Sequence, residues 1–214
     1  MNHPLTASLG NGCRQLGLAL EPEQLQCLLD YIELLVRWNQ AYNLTAIRDP
    51  KQMLVRHLLD SLAIAPYLHG QRFMDVGTGA GLPGVPLAVL YPLREFHLLD
   101  SNGKKTRFLF QVKTALGLDN MTVHQARVES FQDEQGFDAV LTRAFASLPD
   151  MVGGCQHLLP ESGVFLAMKG AFPREELDTI RSVCEVSAVH ALEVPGLEEQ
   201  RHLVELRLRA QTDQ

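Results

Sequence analysis

The chain lacks a long apolar run, contains few cysteines and has no excess of basic charge. Each of these features argues against a class of protein. No stretch of about 18 consecutive apolar residues occurs among the 214 residues, so no membrane span is predicted. The amino terminus lacks a basic start followed by an apolar segment, which argues against a secretory signal. We therefore expect a cytoplasmic protein with no membrane partner.

The four cysteines and the charge balance further limit the classes of protein to which the chain could belong. Cys13, Cys27, Cys155 and Cys184 lie far apart and form no Cys-x-x-Cys pair, which suits a reduced compartment and predicts no metal site. The 19 basic and 25 acidic residues give a net charge of −6. Broad nucleic-acid binding relies on clustered positive charge, so we expect no DNA partner. Any RNA partner must meet a local basic surface.

A glycine-rich turn follows the first predicted strand and organises the rest of the chain. The stretch Phe73–Gly84 contains glycine at positions 77, 79 and 81, where the absent Cβ lets a ligand approach the backbone. Gly79-x-Gly81-x-x-Gly84 matches the dinucleotide fingerprint. Asp75-x-Gly77-x-Gly79-x-Gly81 matches the loop of S-adenosylmethionine (SAM) methyltransferases. A surface turn without any ligand is the third interpretation, and the loop alone does not decide among them.

Helical periodicity dominates the region before this turn. Residues 1–20 are predicted to form a flexible tail, and residues 21–70 a helical cap beside the sheet. Helices are expected from Glu21 to about Gln40 and from Asp49-Pro50 to about Tyr67. His57 falls within the second helix, where its residue type and position favour a packed histidine between helices.

Residues 71–210 alternate between strands and helices and predict an α/β sheet of about seven strands, mostly parallel. The two alternating runs 186–193 and 202–209 predict a carboxyl-terminal antiparallel hairpin. Asp100 ends the second strand, where its carboxylate could accept hydrogen bonds from the ribose hydroxyls of an adenosine. Its alternative role is the N-cap of the next helix. Because the glycine loop, helix, strand and acid occur together, we favour the ribose role.

The small size of the chain favours a methyltransferase over a dehydrogenase. A dehydrogenase normally needs a second mononucleotide half or a substrate domain, and no His/Asp or Tyr/Lys pair is placed for hydride transfer. One sheet closed by a hairpin is the layout of a class I SAM-dependent methyltransferase, which is Rossmann-like. A nicotinamide-dependent oxidoreductase remains the alternative.

Several motifs, in order along about residues 25–206, resemble bacterial glucose-inhibited division protein B. That family comprises the 16S ribosomal RNA (guanine-N7) methyltransferases. The motifs that carry the resemblance are Trp38–Thr45, Arg56–Ser61, Asp75–Gly84, Leu99–Ser101, Arg127–Glu129, Thr142–Ser147, Lys169-Gly170 and Arg201–Val204. Any one could occur by chance, but the ordered set is highly specific.

The resemblance implies methyl transfer from SAM to a guanine in the 530 loop of 16S rRNA in the small ribosomal subunit. Together with the loop and strand-end acids, it predicts cofactor contacts from Asp75, Gly77, Gly79, Gly81, Leu82, Asp100, Val128, Glu129 and Arg143. It also predicts that the RNA or the substrate is positioned by Asn43, His57, Arg127, Lys169 and Arg201. Arg127 and Arg143 are expected to bind the edge of the cofactor or an RNA phosphate. A SAM-dependent methyltransferase of another RNA or of a small molecule is the alternative.

Guanine N7 carries a free lone pair, so the predicted reaction requires no general base, and holding N7 in line with the methyl group should dominate catalysis. The substrate would meet a basic rim on an otherwise acidic monomer. The rim comprises Arg56, Lys104, Lys105, Arg107, Lys169 and Arg201.

Overall fold

A seven-stranded sheet forms the centre of the molecule in a computed structural model that describes residues 3–143 and 147–209. The strands lie in the order β3-β2-β1-β4-β5-β7-β6. Their bounds are β1 Arg72–Val76, β2 Glu95–Leu99, β3 Met121–His124, β4 Ala139–Thr142, β5 Val164–Lys169, β6 Cys184–Ala191 and β7 His202–Leu208. The first five strands are parallel, and β7 runs antiparallel between β5 and β6. The predicted mostly parallel sheet and terminal hairpin are therefore confirmed.

Eight α-helices cover both faces of the sheet in the described ranges. They are α1 Thr6–Gln15, α2 Pro22–Tyr42, α3 Pro50–Met53, α4 Asp60–Leu62, α5 Gly84–Leu90, α6 Gly103–Leu116, α7 Leu148–Cys155 and α8 Arg174–Ile180. A π-helical segment, Leu54–Leu59, joins α3 to α4. Short 3₁₀ turns occupy Ala65–Tyr67, Val128–Ser130 and Gln156–Leu158.

Alternation along the strands divides the buried apolar side chains between two clusters, because successive strand residues face opposite sides. Phe73 and Phe96 stack in the cluster that includes the amino-terminal helices, α5 and α6. Met74 and Val140 belong to the cluster that includes α7 and α8. The sheet is thus buried on both faces, as expected for parallel strands.

The prediction of a flexible tail at residues 1–20 is wrong for the stretch that forms α1. Leu5, Leu9 and Cys13 recur every four residues and are buried in the first cluster. Gly12 lies so close to Leu59 that an added Cβ would sit 2.5 Å from the leucine Cδ1. The helix therefore belongs to the cap, whose packing supplies the stability that ten isolated residues lack.

The cap also contacts the glycine loop directly. Tyr31, buried on α2, donates a hydrogen bond from its hydroxyl to the carbonyl of Ala80 at 2.7 Å. Within residues 3–143 and 147–209, no helix combines the length and apolar character that a membrane span needs. The Thr142–Ser147 motif is described only in part, since residues 144–146 lie outside these ranges.

Candidate active site

The carboxyl ends of the parallel strands place the predicted site residues along one edge of the sheet. The chain passes from β1 to β2 and β3 on one side, then crosses to β4 and β5 on the other. Open α/β sheets bind ligands at such a switch point. Two neighbouring pockets occupy this edge, one beside β2 and one beside β4 and β5.

Three glycines of the loop adopt positive φ angles, +67° at Gly77, +63° at Gly79 and +94° at Gly81. At Gly81 an added Cβ would lie 2.4 Å from Cγ2 of Val85 and 2.8 Å from Cδ2 of Leu109. No heavy atom of the described residues lies within 4 Å of the equivalent point at Gly77, which lines the first pocket. Glycine at 81 thus lets the loop pack on α5 and α6, and glycine at 77 leaves backbone open to a ligand.

Asp75 stabilises the glycine loop through hydrogen bonds to its two ends. Its Oδ2 accepts hydrogen bonds from the Thr78 hydroxyl at 2.6 Å and from the Gly84 amide at 2.8 Å. Burial raises the pKa of this carboxyl to about 6, although these two hydrogen bonds oppose the shift. The geometry gives Asp75 the role of shaping the loop, which differs from the direct cofactor contact that the sequence predicts.

The first pocket has a volume of about 170 Å³ and combines apolar walls with two carboxylates and one guanidinium group. Its lining consists of Val76, Gly77, Leu99, Asp100, Ser101, Ala126, Arg127, Val128 and Glu129. Five of the predicted binding residues therefore meet here, namely Gly77, Asp100, Arg127, Val128 and Glu129. Apolar side chains suit the faces of an aromatic base, and a strand-end acid suits its ribose hydroxyls.

Asp100 connects the loop to the second strand. Its Oδ2 accepts hydrogen bonds from the Gly79 amide at 2.9 Å and from Lys105 Nζ at 3.4 Å. The alternative role as the N-cap of α6 is wrong, because Asn102 occupies that position and accepts from the Lys104 amide at 2.9 Å. The Asp100 carboxylate instead lines the first pocket.

The second pocket, of about 340 Å³, is strongly polar. Its lining consists of Ile47, Arg56, His57, Asp60, Arg143, Met168, Lys169, Gly170 and Arg201. Four side chains of this set are cationic and one is a carboxylate, so the pocket carries excess positive charge. It brings together three of the predicted substrate residues, His57, Lys169 and Arg201, with Arg143.

Asp60 forms the centre of the charge network in the second pocket. Asp60 is buried, and its carboxylate lies 2.9 Å from Arg201 Nε and 3.6 Å from Arg143 Nη1. Burial raises the pKa of this carboxyl, and the guanidinium groups of Arg143 and Arg201 oppose the shift. Asp60 is not among the site residues predicted from the sequence. Its signal was an acid on a buried helix face, since such acids normally require a partner.

His57 is neutral and has both ring nitrogens engaged. Nδ1 lies 3.0 Å from the Arg56 carbonyl, which can only accept, so Nδ1 carries the proton. Nε2 lies 2.9 Å from the Thr45 hydroxyl and acts as the acceptor. Burial, together with the positive charge of Arg143, lowers the pKa of His57 to about 4. His57 therefore forms a fixed wall of the pocket.

The remaining predicted residues lie in different places. Asn43 ends α2 in a left-handed conformation, is exposed and lines neither pocket. Leu82 is buried within the loop. Arg127 lines the first pocket beside residues predicted to bind the cofactor, and Arg143 lines the second beside residues predicted to position the substrate.

The sequence of the chain matches a known family. The sequence model of the family described as rRNA small subunit methyltransferase G matches residues 24–204. The chain belongs to that family. A ribosomal RNA small subunit methyltransferase G from Saccharophagus degradans is 51% identical over 98% of this chain and 94% of its own. A ribosomal RNA small subunit methyltransferase G from Vibrio atlanticus is 54% identical over 90% of this chain and 92% of its own.

A solved structure supports the same fold. The glycopeptide N-methyltransferase MtfA, in complex with (S)-adenosyl-L-methionine, matches 72% of this chain and 88% of that chain. The TM-score is 0.62 at 12% identity, a level at which the likeness concerns the fold alone. This rRNA small subunit methyltransferase G family member therefore has the predicted Rossmann-like fold of class I methyltransferases.

Proposed function

We propose that the protein transfers the methyl group of SAM to N7 of a guanine in the 530 loop of 16S rRNA. It would act as a monomer in the cytoplasm on the small ribosomal subunit. The observation that carries the proposal is the pair of pockets at one sheet edge, the first suited to an adenosine and the second rich in cations. The printed names of the relatives supply the ribosomal RNA substrate.

The residues of the first pocket fit SAM. Gly77 offers open backbone, Asp100 offers acceptor oxygens, and Val76, Leu99 and Val128 supply apolar surface. SAM contains no phosphate, so the loop would serve close approach of the amino-acid portion. When bound, SAM supplies an electrophilic methyl group on a sulfonium.

The second pocket would hold the target nucleotide. Guanine N7 has a lone pair and loses no proton, so a neutral His57 with both nitrogens engaged suits a site without a general base. The base gains positive charge as it is methylated. Pairing of Arg143 and Arg201 with Asp60 reduces the repulsion that this charge would meet, while Lys169 could bind a phosphate.

The decisive experiment uses methyl-labelled SAM and small ribosomal subunits from cells that lack the enzyme. After incubation with the full-length protein, the rRNA is digested to nucleosides. Label in 7-methylguanosine from the 530 loop is the expected result. Label in another nucleoside would retain the methyltransferase and overturn the target. Label in a small molecule but not in rRNA would overturn the RNA substrate.

A further inference from the structure

Phe172 is an exposed aromatic residue on the loop 170–173, which connects β5 to α8. It is 47% exposed and packs edge-to-face against His202, with ring centroids 5.7 Å apart and an interplanar angle of 84°. A single exposed hydrophobic residue is ordinary on a protein surface. Its position beside the second pocket is what gives this one significance.

The loop that carries Phe172 is held on both sides. His202 donates from Nδ1 to the Gly170 carbonyl at 2.9 Å, and the Arg174 amide donates to the Phe172 carbonyl at 3.0 Å. Lys169 lies 2.8 Å from Glu176, whose same oxygen accepts from the Leu148 amide at 2.6 Å. The phenyl ring is therefore presented from a supported loop.

A cleft of about 490 Å³ runs along this loop and continues from the second pocket. Residues 169–176 line the cleft, and Lys169 and Gly170 line both cavities. A polymer with one unit in the second pocket would thus place its neighbouring unit in the cleft beside Phe172. Lys169 and Arg174 line that path together with Glu175 and Glu176, and Lys169 is paired with Glu176, so the cleft carries no excess of positive charge.

We propose that Phe172 forms a stacking subsite for the nucleobase adjacent to the target guanine in the same RNA strand. The inference rests on the proposed function, because it takes the second pocket as the site of the target nucleotide. Single-stranded RNA exposes base faces, and aromatic side chains stack on them without requiring a particular base. The subsite would hold the strand so that the guanine stays extended into its pocket.

The test measures methyl transfer to unmethylated small ribosomal subunits by Phe172 variants. Stacking on one base is worth enough that Phe172→Ala should lower kcat/KM by roughly 5- to 150-fold, mainly through a higher KM. The dissociation constant for SAM should stay unchanged. Phe172→Tyr and Phe172→Trp should restore KM, and Phe172→Leu should not, because leucine keeps apolar bulk without an aromatic face. Leu93→Ala removes an exposed apolar residue near the opposite edge of the sheet and serves as the matched control.

A second measurement reports stacking directly. In a Trp38→Phe background, the Phe172→Trp variant contains a single tryptophan. Its fluorescence should be quenched when small ribosomal subunits bind. An unchanged KM for Phe172→Ala, full rescue by leucine, or unquenched fluorescence would each overturn the subsite while leaving an active wild-type enzyme. Absence of rRNA methylation by the wild-type protein would instead overturn the proposed function, and the subsite with it.

Discussion

Asp60 and Asp100 lie in different pockets, and their substitution should separate substrate use from cofactor binding. Asp60→Asn leaves the partly buried Arg143 and Arg201 without their counter-charge, so kcat/KM for the small subunit should fall by at least about 30-fold. The affinity for SAM should be retained. Asp100→Ala removes a charged acceptor from the first pocket, so the dissociation constant for SAM should rise by about 10- to 100-fold. Calorimetry and methyl-transfer kinetics measure the two effects.

The control for this pair of substitutions is another carboxylate–arginine contact away from both pockets. Asp133 lies 3.2 Å from Arg72 at the amino end of β1. Asp133→Asn should therefore lower the stability of the protein and leave SAM affinity and transfer kinetics unchanged. If Asp60→Asn weakened SAM binding and spared turnover with rRNA, the division between the pockets would be wrong.

Asp75 makes stability depend on pH in an unusual direction. The folded chain keeps the proton of this buried carboxyl to about pH 6, whereas the unfolded chain loses it near 3.8. Stability from this group is therefore present at low pH and lost as the pH rises through about 6. The difference between the two pKa values corresponds to roughly 3 kcal/mol. The free energy of unfolding of Asp75→Asn, relative to that of the wild type, should increase by roughly 2 to 3 kcal/mol from pH 4 to pH 8. Urea unfolding at each pH measures this difference.

Asp133 should show the opposite pH dependence of stability in the same measurement, because its pKa is lowered. Burial opposes the shift, but the hydrogen bonds from Arg72 prevail and lower the pKa of Asp133. Asp133→Asn should therefore lose stability relative to the wild type as the pH rises. A constant difference between Asp75→Asn and the wild type at all pH values would show that the Asp75 pKa is not raised.

At the level of helices and strands, local sequence patterns predicted the sheet well. Short apolar runs, the glycines at 77, 79 and 81, and the terminal alternating runs are local signals, and the strands occur where they indicate. The fourth strand is short, since β4 covers only Ala139–Thr142. The second cap helix contains the π-helical Leu54–Leu59, which a periodicity of 3.6 residues does not represent.

Features that depend on distant contacts could not be read from local patterns. Helix α1 has few apolar residues and is held by packing on the cap, so its sequence resembled a tail. The contact between Asp60 and Arg201 joins residues 141 positions apart, and no spacing rule predicts it. The resemblance to a family pointed to Arg201 and Arg143, but only the folded chain shows that Asp60 joins them.

Across the whole molecule, most side chains of the basic rim are engaged in ion pairs within the protein, which the sequence did not predict. Four of its six residues contact carboxylates, namely Arg56 with Glu199, Lys105 with Asp100, Lys169 with Glu176 and Arg201 with Asp60. Lys104 and Arg107 on α6 are exposed and form no ion pair within the described part of the chain. They are therefore the best candidates for contacts with RNA phosphates that stand outside the pockets.

Since the net charge is −6, such contacts must overcome a repulsive background and should be sensitive to salt. The KM for small ribosomal subunits should rise with ionic strength, and Lys104→Ala should reduce the slope of log KM against log salt by about 1. Lys113→Ala is the matched control, because Lys113 lies on the same helix roughly 14 Å farther from the site and should leave the slope unchanged. A salt-independent KM for the wild type, or equal slopes for both lysine variants, would remove Lys104 from the RNA-binding surface.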